Sequence, residues 1–365
     1  MRIEMALPTL QIGGMEHMVV TLAAALRELG HEVGVTCLDG ASGELEPLLI
    51  ARGVRVSWQP AKGFVANFSS PALTHHFQRL HLDVLHSHSG VWGRACRAGK
   101  KAGVARVIHT IHGKPDQDPW YDIPLRRWEA SQTDSIVAVS SPLATELANR
   151  VGVDRRKILV CENGIDTARF SPNESARSAS RALLGVSNRL VFGVVARLAA
   201  VKNLYALLGA FSMVRSRLPA SLDPAIVFVG SGEEEQGLRN RARDLQLGDN
   251  CIFLGSRSDT DQMHRVFDIF VLPSLAEGTS ISLLEAMSSG TFVVATAVGS
   301  NPKLIGNDER GILSRGTDEV SIAEAMLRAT DRMGSMLAQR AARTFVHESF
   351  STNRMVNDYL KIYAS

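Results

Sequence analysis

Short β-branched runs alternate with amphipathic helical stretches along the whole 365-residue chain, and this alternation restricts the fold more than any other feature. Residues 32–36, 54–58, 84–86, 106–111 and 135–139 have the composition and length of strands. Between them lie patterns such as 16–29, apolar at 18, 19, 22, 25, 26 and 29, the spacing of one helix face. Gly30 stands where a left-handed helix cap is expected. The second half repeats the scheme, with strands over 190–195, 225–229, 251–253, 269–272 and 292–295 and helices over 203–217 and 234–245. Strands buried on both faces and separated by helices form parallel sheets, so the expected class is α/β with two doubly wound, Rossmann-like domains.

The polar, proline-containing segment 166–181 interrupts the periodicity and sets the expected division, 1–170 against 171–349, with 350–365 left as a terminal helix. No short-period repeat is present, which excludes a solenoid. A net charge of +3 suits anionic small molecules or a lipid headgroup layer and is too weak to argue for nucleic acid. Cys37, Cys96, Cys161 and Cys251 are scattered without metal-ligand spacing, so neither a disulfide framework nor a zinc site is expected, and a reducing cytoplasmic setting is. The first eight residues lack the apolar core of a signal peptide, and no run approaches the length needed to span a bilayer.

The residues richest in chemistry run from Phe270 to Met287. A strand ends at Pro273, a loop carries Glu277 and Gly278, and a helix opens near Thr279 or Ser280. Ligands of open α/β sheets bind beyond the carboxyl ends of strands, where this loop lies. The N–H groups of Ser280, Ile281 and Ser282 are expected to point outward with the positive end of the helix dipole, a site for phosphate. Glu285 follows little more than a turn later, within reach of sugar hydroxyls.

Two glutamates eight apart, in the setting Glu-Gly-x6-Leu-Glu-Ala-Met, resemble the signature of the retaining group 1 glycosyltransferases of the GT-B fold. The resemblance implies that Glu285 holds the nucleotide's ribose hydroxyls and that Glu277 contacts the transferred sugar. Further matches follow in family order. Arg197 and Lys202, after a strand, resemble the clamp that neutralises the diphosphate leaving group. Gly13 and Gly14 match a loop lying against the donor phosphates, and His112, with Gly113 after it, matches a histidine facing the sugar. Arg257 lies in the loop that the family passes near the nucleobase. His86 and His88 also end a strand and are weaker binding candidates, whereas His75 and His76 are expected to be exposed. In place of the glutamate the family carries after its Val-Gly segment, this chain has Lys303.

By this resemblance the first domain receives a glycan, lipid-linked or small-molecule acceptor and the second binds a nucleotide sugar, with a UDP-sugar the expected donor, and the reaction in the cleft between them. The terminal helix crosses back to the first domain. Configuration is retained, no metal or other cofactor is required, and basic side chains and helix dipoles carry the electrostatic work. The likeness is greatest to bacterial transferases of exopolysaccharide assembly. Alternatives of other classes are a GT-B nucleotide-sugar epimerase and a non-catalytic nucleotide-sugar-binding subunit. Finally, Arg94, Arg97, Lys100 and Lys101 recur at helical spacing over 93–102 and are expected to share a face that rests on anionic headgroups at the inner membrane surface.

Overall fold

A computed structural model describes the chain except residues 41–42, 62–65, 67 and 113–122. It divides into two units, Met1–Gly164 with Thr352–Ser365, and Ile165–Ser351. The division comes a few residues before the one expected. Ile165 and Phe170 are the apolar residues of an otherwise polar segment, and both are buried in the core of the second unit. The Ile165 N–H donates to the Phe350 carbonyl at 2.8 Å, which ties the start of the second unit to its end.

The first unit is a seven-stranded sheet made of β1 (Arg2–Leu7), β2 (Glu32–Cys37), β3 (Arg55–Trp58), β4 (Val84–His88), β5 (Arg106–Ile111), β6 (Ser135–Ala138) and β7 (Ile158–Val160). Its order is β3-β2-β1-β4-β5-β6-β7, with every pairing parallel. Helix Gly14–Glu28 buries Met18, Val19, Leu22 and Leu26 on the sheet, and Gly30 ends it at φ 84°, a left-handed conformation that favours glycine. Helix Thr352–Ala364 packs into the same core through Met355, Val356, Tyr359, Ile362 and Tyr363. Met355, Val356 and Ile362 alone contribute about 1.5–3 kcal/mol each by burial, a large part of an ordinary domain's stability.

The second unit is a six-stranded parallel sheet of β8 (Val191–Val195), β9 (Ala225–Val229), β10 (Cys251–Phe253), β11 (Ile269–Leu272), β12 (Phe292–Thr296) and β13 (Ile312–Ser314). Its order, β10-β9-β8-β11-β12-β13, reverses between β8 and β11. The chain leaves β8 toward one edge and β11 toward the other, so a crevice opens beyond their carboxyl ends. Ligands of open parallel sheets bind at such a switch point. The first unit has its own switch between β1 and β4.

Candidate donor site

The loop after β8 carries Arg197 and Lys202, and the loop after β11 carries Glu277. The first is held by backbone. Leu198 N–H donates to the Ser231 carbonyl at 2.9 Å, and Glu234 N–H returns to the Leu198 carbonyl at 2.9 Å. A Cβ on Gly230 would lie 1.9 Å from the Ala196 carbonyl oxygen, and one on Gly232 2.4 Å from that of Leu198. The Gly-Ser-Gly stretch therefore serves close backbone packing under Arg197, and not a dinucleotide. Asn203 follows Lys202 at φ 56°, and its amide donates to the carbonyls of Pro273 and Thr317 at 3.1 and 2.8 Å.

So anchored, Lys202 Nζ meets Glu277 Oε1 at 2.6 Å, and Ser274 Oγ donates to the same oxygen at 2.6 Å. The Glu277 side chain is only 8% exposed. Gly299, at φ 55°, backs its peptide so closely that a Cβ would sit 1.9 Å from the Glu277 carbonyl oxygen. Arg197 is exposed, and its side chain has no ion-pair or hydrogen-bond partner among the described residues. One cation is thus already committed to a carboxylate, and the other is open to an anion.

Helix Ile281–Ser288 begins behind this loop, capped by Ser280, whose Oγ accepts from Leu283 N–H at 3.4 Å. Leu284 N–H is the next to close, onto the Ser280 carbonyl at 3.2 Å. The N–H groups of Ser280, Ile281 and Ser282 have no acceptor among the described residues, and Thr279 and Ser280 are themselves buried. Glu285, one turn along, presents a carboxylate 15% exposed, with Oε2 at 3.3 Å from Nε2 of the fully buried His264. Sequence reasoning missed His264, which reaches Glu285 from a separate helix, and Ser274, whose contact with Glu277 is local to the same loop.

Arg257 is paired within its own loop. Its guanidinium forks onto Asp259 at 2.8 and 2.6 Å, and this pairing raises its pKa. Lys303 is exposed, with Nζ 5.8 Å from the centre of the Phe350 ring. The chain also carries two Asp-x-Asp triplets. Asp116-Gln117-Asp118 lies outside the described residues, and in Asp259-Thr260-Asp261 the second acid pairs with Arg169 and Arg265 as the first does with Arg257.

In the first unit, Gly13 is extended, a conformation open to any residue, and Gly14 has open space around it. The Glu16 carboxylate folds over Gly13, 2.3 Å from where a Cβ would be, and as the end of a flexible side chain it could swing aside for one. Burial raises the Glu16 pKa. The space expected to take donor phosphates beside Gly13 is thus lined by an acid in the first turn of helix Gly14–Glu28.

His112 follows β5. Its backbone N–H donates to Ser89 Oγ at 3.0 Å, and its Nε2 lies 3.1 Å from His88 Nδ1. Burial lowers its pKa to about 3, so the ring is neutral, and its buried Nδ1 has no partner among the described residues. Gly113 lies outside the described residues. His86 is internal, with Tyr363 Oη at 2.8 Å and Thr110 Oγ1 at 2.7 Å, and Thr110 in turn meets Tyr359. His88 is also fully buried. These two are parts of the core, where binding roles had been considered. His76 is half-buried, not exposed, and its Nε2 lies 3.3 Å from the hydroxyls of both Thr36 and Ser57.

Three of the four cations expected to share a free basic face are engaged within the unit. On helix Trp92–Lys101, Arg94 is buried, pairs with Asp39 at 2.6 Å and donates to the carbonyls of Ala61 and Gly90. Arg97 donates to the Phe68 carbonyl and Gln132, and Lys100 pairs with Asp134. Buried cations need such partners, and here the unit itself supplies them.

Two family models divide the chain between them. "Glycosyl transferases group 1" matches residues 177–342, and "Glycosyltransferase Family 4" matches residues 12–169. Among curated relatives, the UDP-Gal:alpha-D-GlcNAc-diphosphoundecaprenol alpha-1,3-galactosyltransferase of Escherichia coli is 29% identical over 77% of this chain and 75% of its own. The D-inositol 3-phosphate glycosyltransferase of Actinosynnema mirum is 27% identical over 96% of this chain and 92% of its own. In fold, the chain is similar to Anabaena HepE in complex with UDP and glucose, with a TM-score of 0.88, 20% identity and full coverage of both chains.

Proposed function

Because this chain belongs to the group 1 glycosyltransferases, with two Rossmann-like units of the GT-B fold, we propose that it moves a hexose from a UDP-sugar to a lipid-linked or glycan acceptor in bacterial cell-surface polysaccharide synthesis. The observation that carries this reading is the convergence, at the β8–β11 switch point, of Arg197, the Lys202–Glu277–Ser274 cluster and a helix start with unpaired N–H groups. UDP enters through the names of the relatives, one a UDP-Gal-dependent galactosyltransferase and one a structure holding UDP with glucose.

In this reading the N–H groups of Ser280, Ile281 and Ser282, with Gly278 and Thr279 leading into them, bind the diphosphate. Arg197 adds a bidentate fork and Lys202 a point charge as negative charge grows on the leaving oxygen. Glu277 contacts the transferred hexose and Glu285 the ribose. Gly13 and Gly14 leave backbone accessible in the first unit, and neutral His112 offers Nδ1 to a ligand hydroxyl. Arg257, held by Asp259, borders the base with its planar face. Transfer proceeds with retention, by attack on the face the diphosphate leaves, and the departing phosphate oxygen takes the acceptor's proton. No protein base is needed on this route.

UDP release from UDP-hexoses, measured with and without a lipid-extract acceptor, tests the proposal. Release that requires acceptor is expected; an epimerised donor formed without acceptor would overturn it. Because Arg197, Lys202 and the helix start supply the positive charge, activity is expected to survive excess EDTA, and loss that magnesium restores would refute the metal-free mechanism.

No helix among the described residues is long and apolar enough to cross a membrane. We assign the enzyme to the cytoplasm, brought to the inner membrane face by its acceptor's lipid and not by helix Trp92–Lys101. Lys101→Glu, which reverses the cation of that helix left without a partner, should therefore leave co-sedimentation with anionic liposomes unchanged. A salt-sensitive loss of binding would restore the basic-face idea.

A further inference from the structure

His264 lies on helix Thr260–Val266, which packs beside helix Ile281–Ser288. Its ring is fully buried among Phe170, Phe267 and Phe270, with ring centres 5.9, 6.0 and 5.4 Å away. Its backbone is fixed as well, since Thr291 Oγ1 donates to the His264 carbonyl at 2.7 Å. A ring so enclosed has one orientation. That orientation brings Nε2 to 3.3 Å from Glu285 Oε2 and leaves Nδ1 buried without a partner.

The proton position follows from these contacts. A carboxylate only accepts, so Nε2 must be the donor for the contact to be favourable. With the proton on Nδ1 instead, the ring would bury an unpaired N–H and turn a lone pair toward a carboxylate. A buried lone pair without a partner is the lesser cost. Glu285 is thus pinned through Oε2, and no described residue pairs with Oε1.

We infer that His264 is a positioning residue for the nucleotide subsite: by donating from Nε2 to Glu285 Oε2 it turns Oε1 toward the ligand and makes the site select a ribose over a 2′-deoxyribose. The inference rests on the reading that Glu285 holds the ribose hydroxyls, and its mechanism is orientation. A free glutamate side chain samples several rotamers, and fixing one oxygen in advance removes that cost from binding. An isolated hydroxyl is recognised strongly only when its partner is already in place.

Calorimetry with UDP and 2′-deoxy-UDP, on the full chain and on Glu285→Ala, His264→Leu and His264→Gln, separates the two levels. Wild type should prefer UDP, and Glu285→Ala should bring the ratio of the two affinities close to one. If Glu285→Ala keeps the wild-type ratio, or wild type does not bind UDP, the ribose reading itself fails and this inference with it. His264→Leu should cut the ratio about tenfold, near 1.4 kcal/mol. His264→Gln, whose amide can donate from close to the Nε2 position, should restore most of it. An unchanged ratio in His264→Leu, alongside a collapsed one in Glu285→Ala, overturns the inference and leaves the ribose reading standing. Wild type provides a check that needs no variant to fold: nitrogen-15 shifts must show His264 protonated at Nε2, and protonation at Nδ1 would overturn the assignment.

Discussion

Lys202→Ala is expected to lower kcat about 100- to 1,000-fold, the loss typical of removing one fixed group that stabilises transition-state charge. Donor affinity should change far less, because the ground-state diphosphate still has Arg197 and the helix N–H groups. The effect should exceed that of Arg197→Ala, for a reason visible in the site. Arg197 is exposed and unpaired, so its loss removes one cation. Lys202 is paired to Glu277, whose side chain is only 8% exposed, and its loss also strands a carboxylate that keeps Ser274 alone. Glu277 would then swing toward solvent or repel the diphosphate, and either disturbs the contact proposed with the hexose. Lys202→Ala combined with Glu277→Gln should therefore lose less than the two single losses multiplied together, since the second change removes the stranded charge. Steady-state kinetics with calorimetry decide it. A rise in donor KM with kcat intact would mean that Lys202 binds the ground state and transition state alike.

The parallel sheets were legible because their strands are buried on both faces and read as continuous β-branched runs, as in Ile269–Leu272 and Ala225–Val229. The short edge strands Ile158–Val160 and Ile312–Ser314 were not singled out, although Cys251–Phe253, equally short, was. The helix start at Ile281 was legible through its cap, Ser280, a local signal. Contacts that join distant segments had no local signal. Arg94 takes its place on a helical wheel from its neighbours, but its burial depends on Asp39 and the Ala61 carbonyl. The same is true of His264. Nothing near it in sequence marks it, and only the packing of its helix against the next brings its ring to Glu285. His86 and His88 show the converse. Two residues apart on a strand, they share a face, and a pair of histidines at a strand end reads as a site until a helix from the far end of the chain brings Tyr359 and Tyr363 onto His86, against which His88 packs.

That histidine cluster makes the first unit acid-sensitive, and the expected result is a stability that falls steeply as pH drops below about 6.5. Burial is the largest cause in every case, lowering His86 and His112 to about 3 and His88 and His109 well below the ordinary value of 6.5. The unfolded chain takes up a proton on each ring near 6.5, while the folded unit refuses it down to about 3 for the first two. Within that window the unfolded state holds more protons, so acidification favours it by about 1.4 kcal/mol per pH unit for each ring. Glu4 works the other way. Burial raises it to about 7 against the pull of Arg55 and Thr36, so between 4.5 and 7 the folded state holds the extra proton and gains as pH falls. Two carboxyls raised by burial, Glu4 and Glu16, oppose these four imidazoles and the likewise lowered His31 and His76, so the histidines stay in control. The measurement is direct, because all four tryptophans (residues 58, 92, 120 and 128) belong to the first unit's stretch of sequence, and Trp92 stacks on His109 at 4.4 Å between ring centres. Urea midpoints followed by tryptophan fluorescence should drop from pH 7.5 to pH 5.5. Glu4→Gln should steepen the drop by deleting an opposing group, and His109→Phe, which keeps an aromatic ring against Trp92, should make it shallower. Midpoints that hold steady or rise on acidification would mean that these rings are hydrated and titrate as free histidines do.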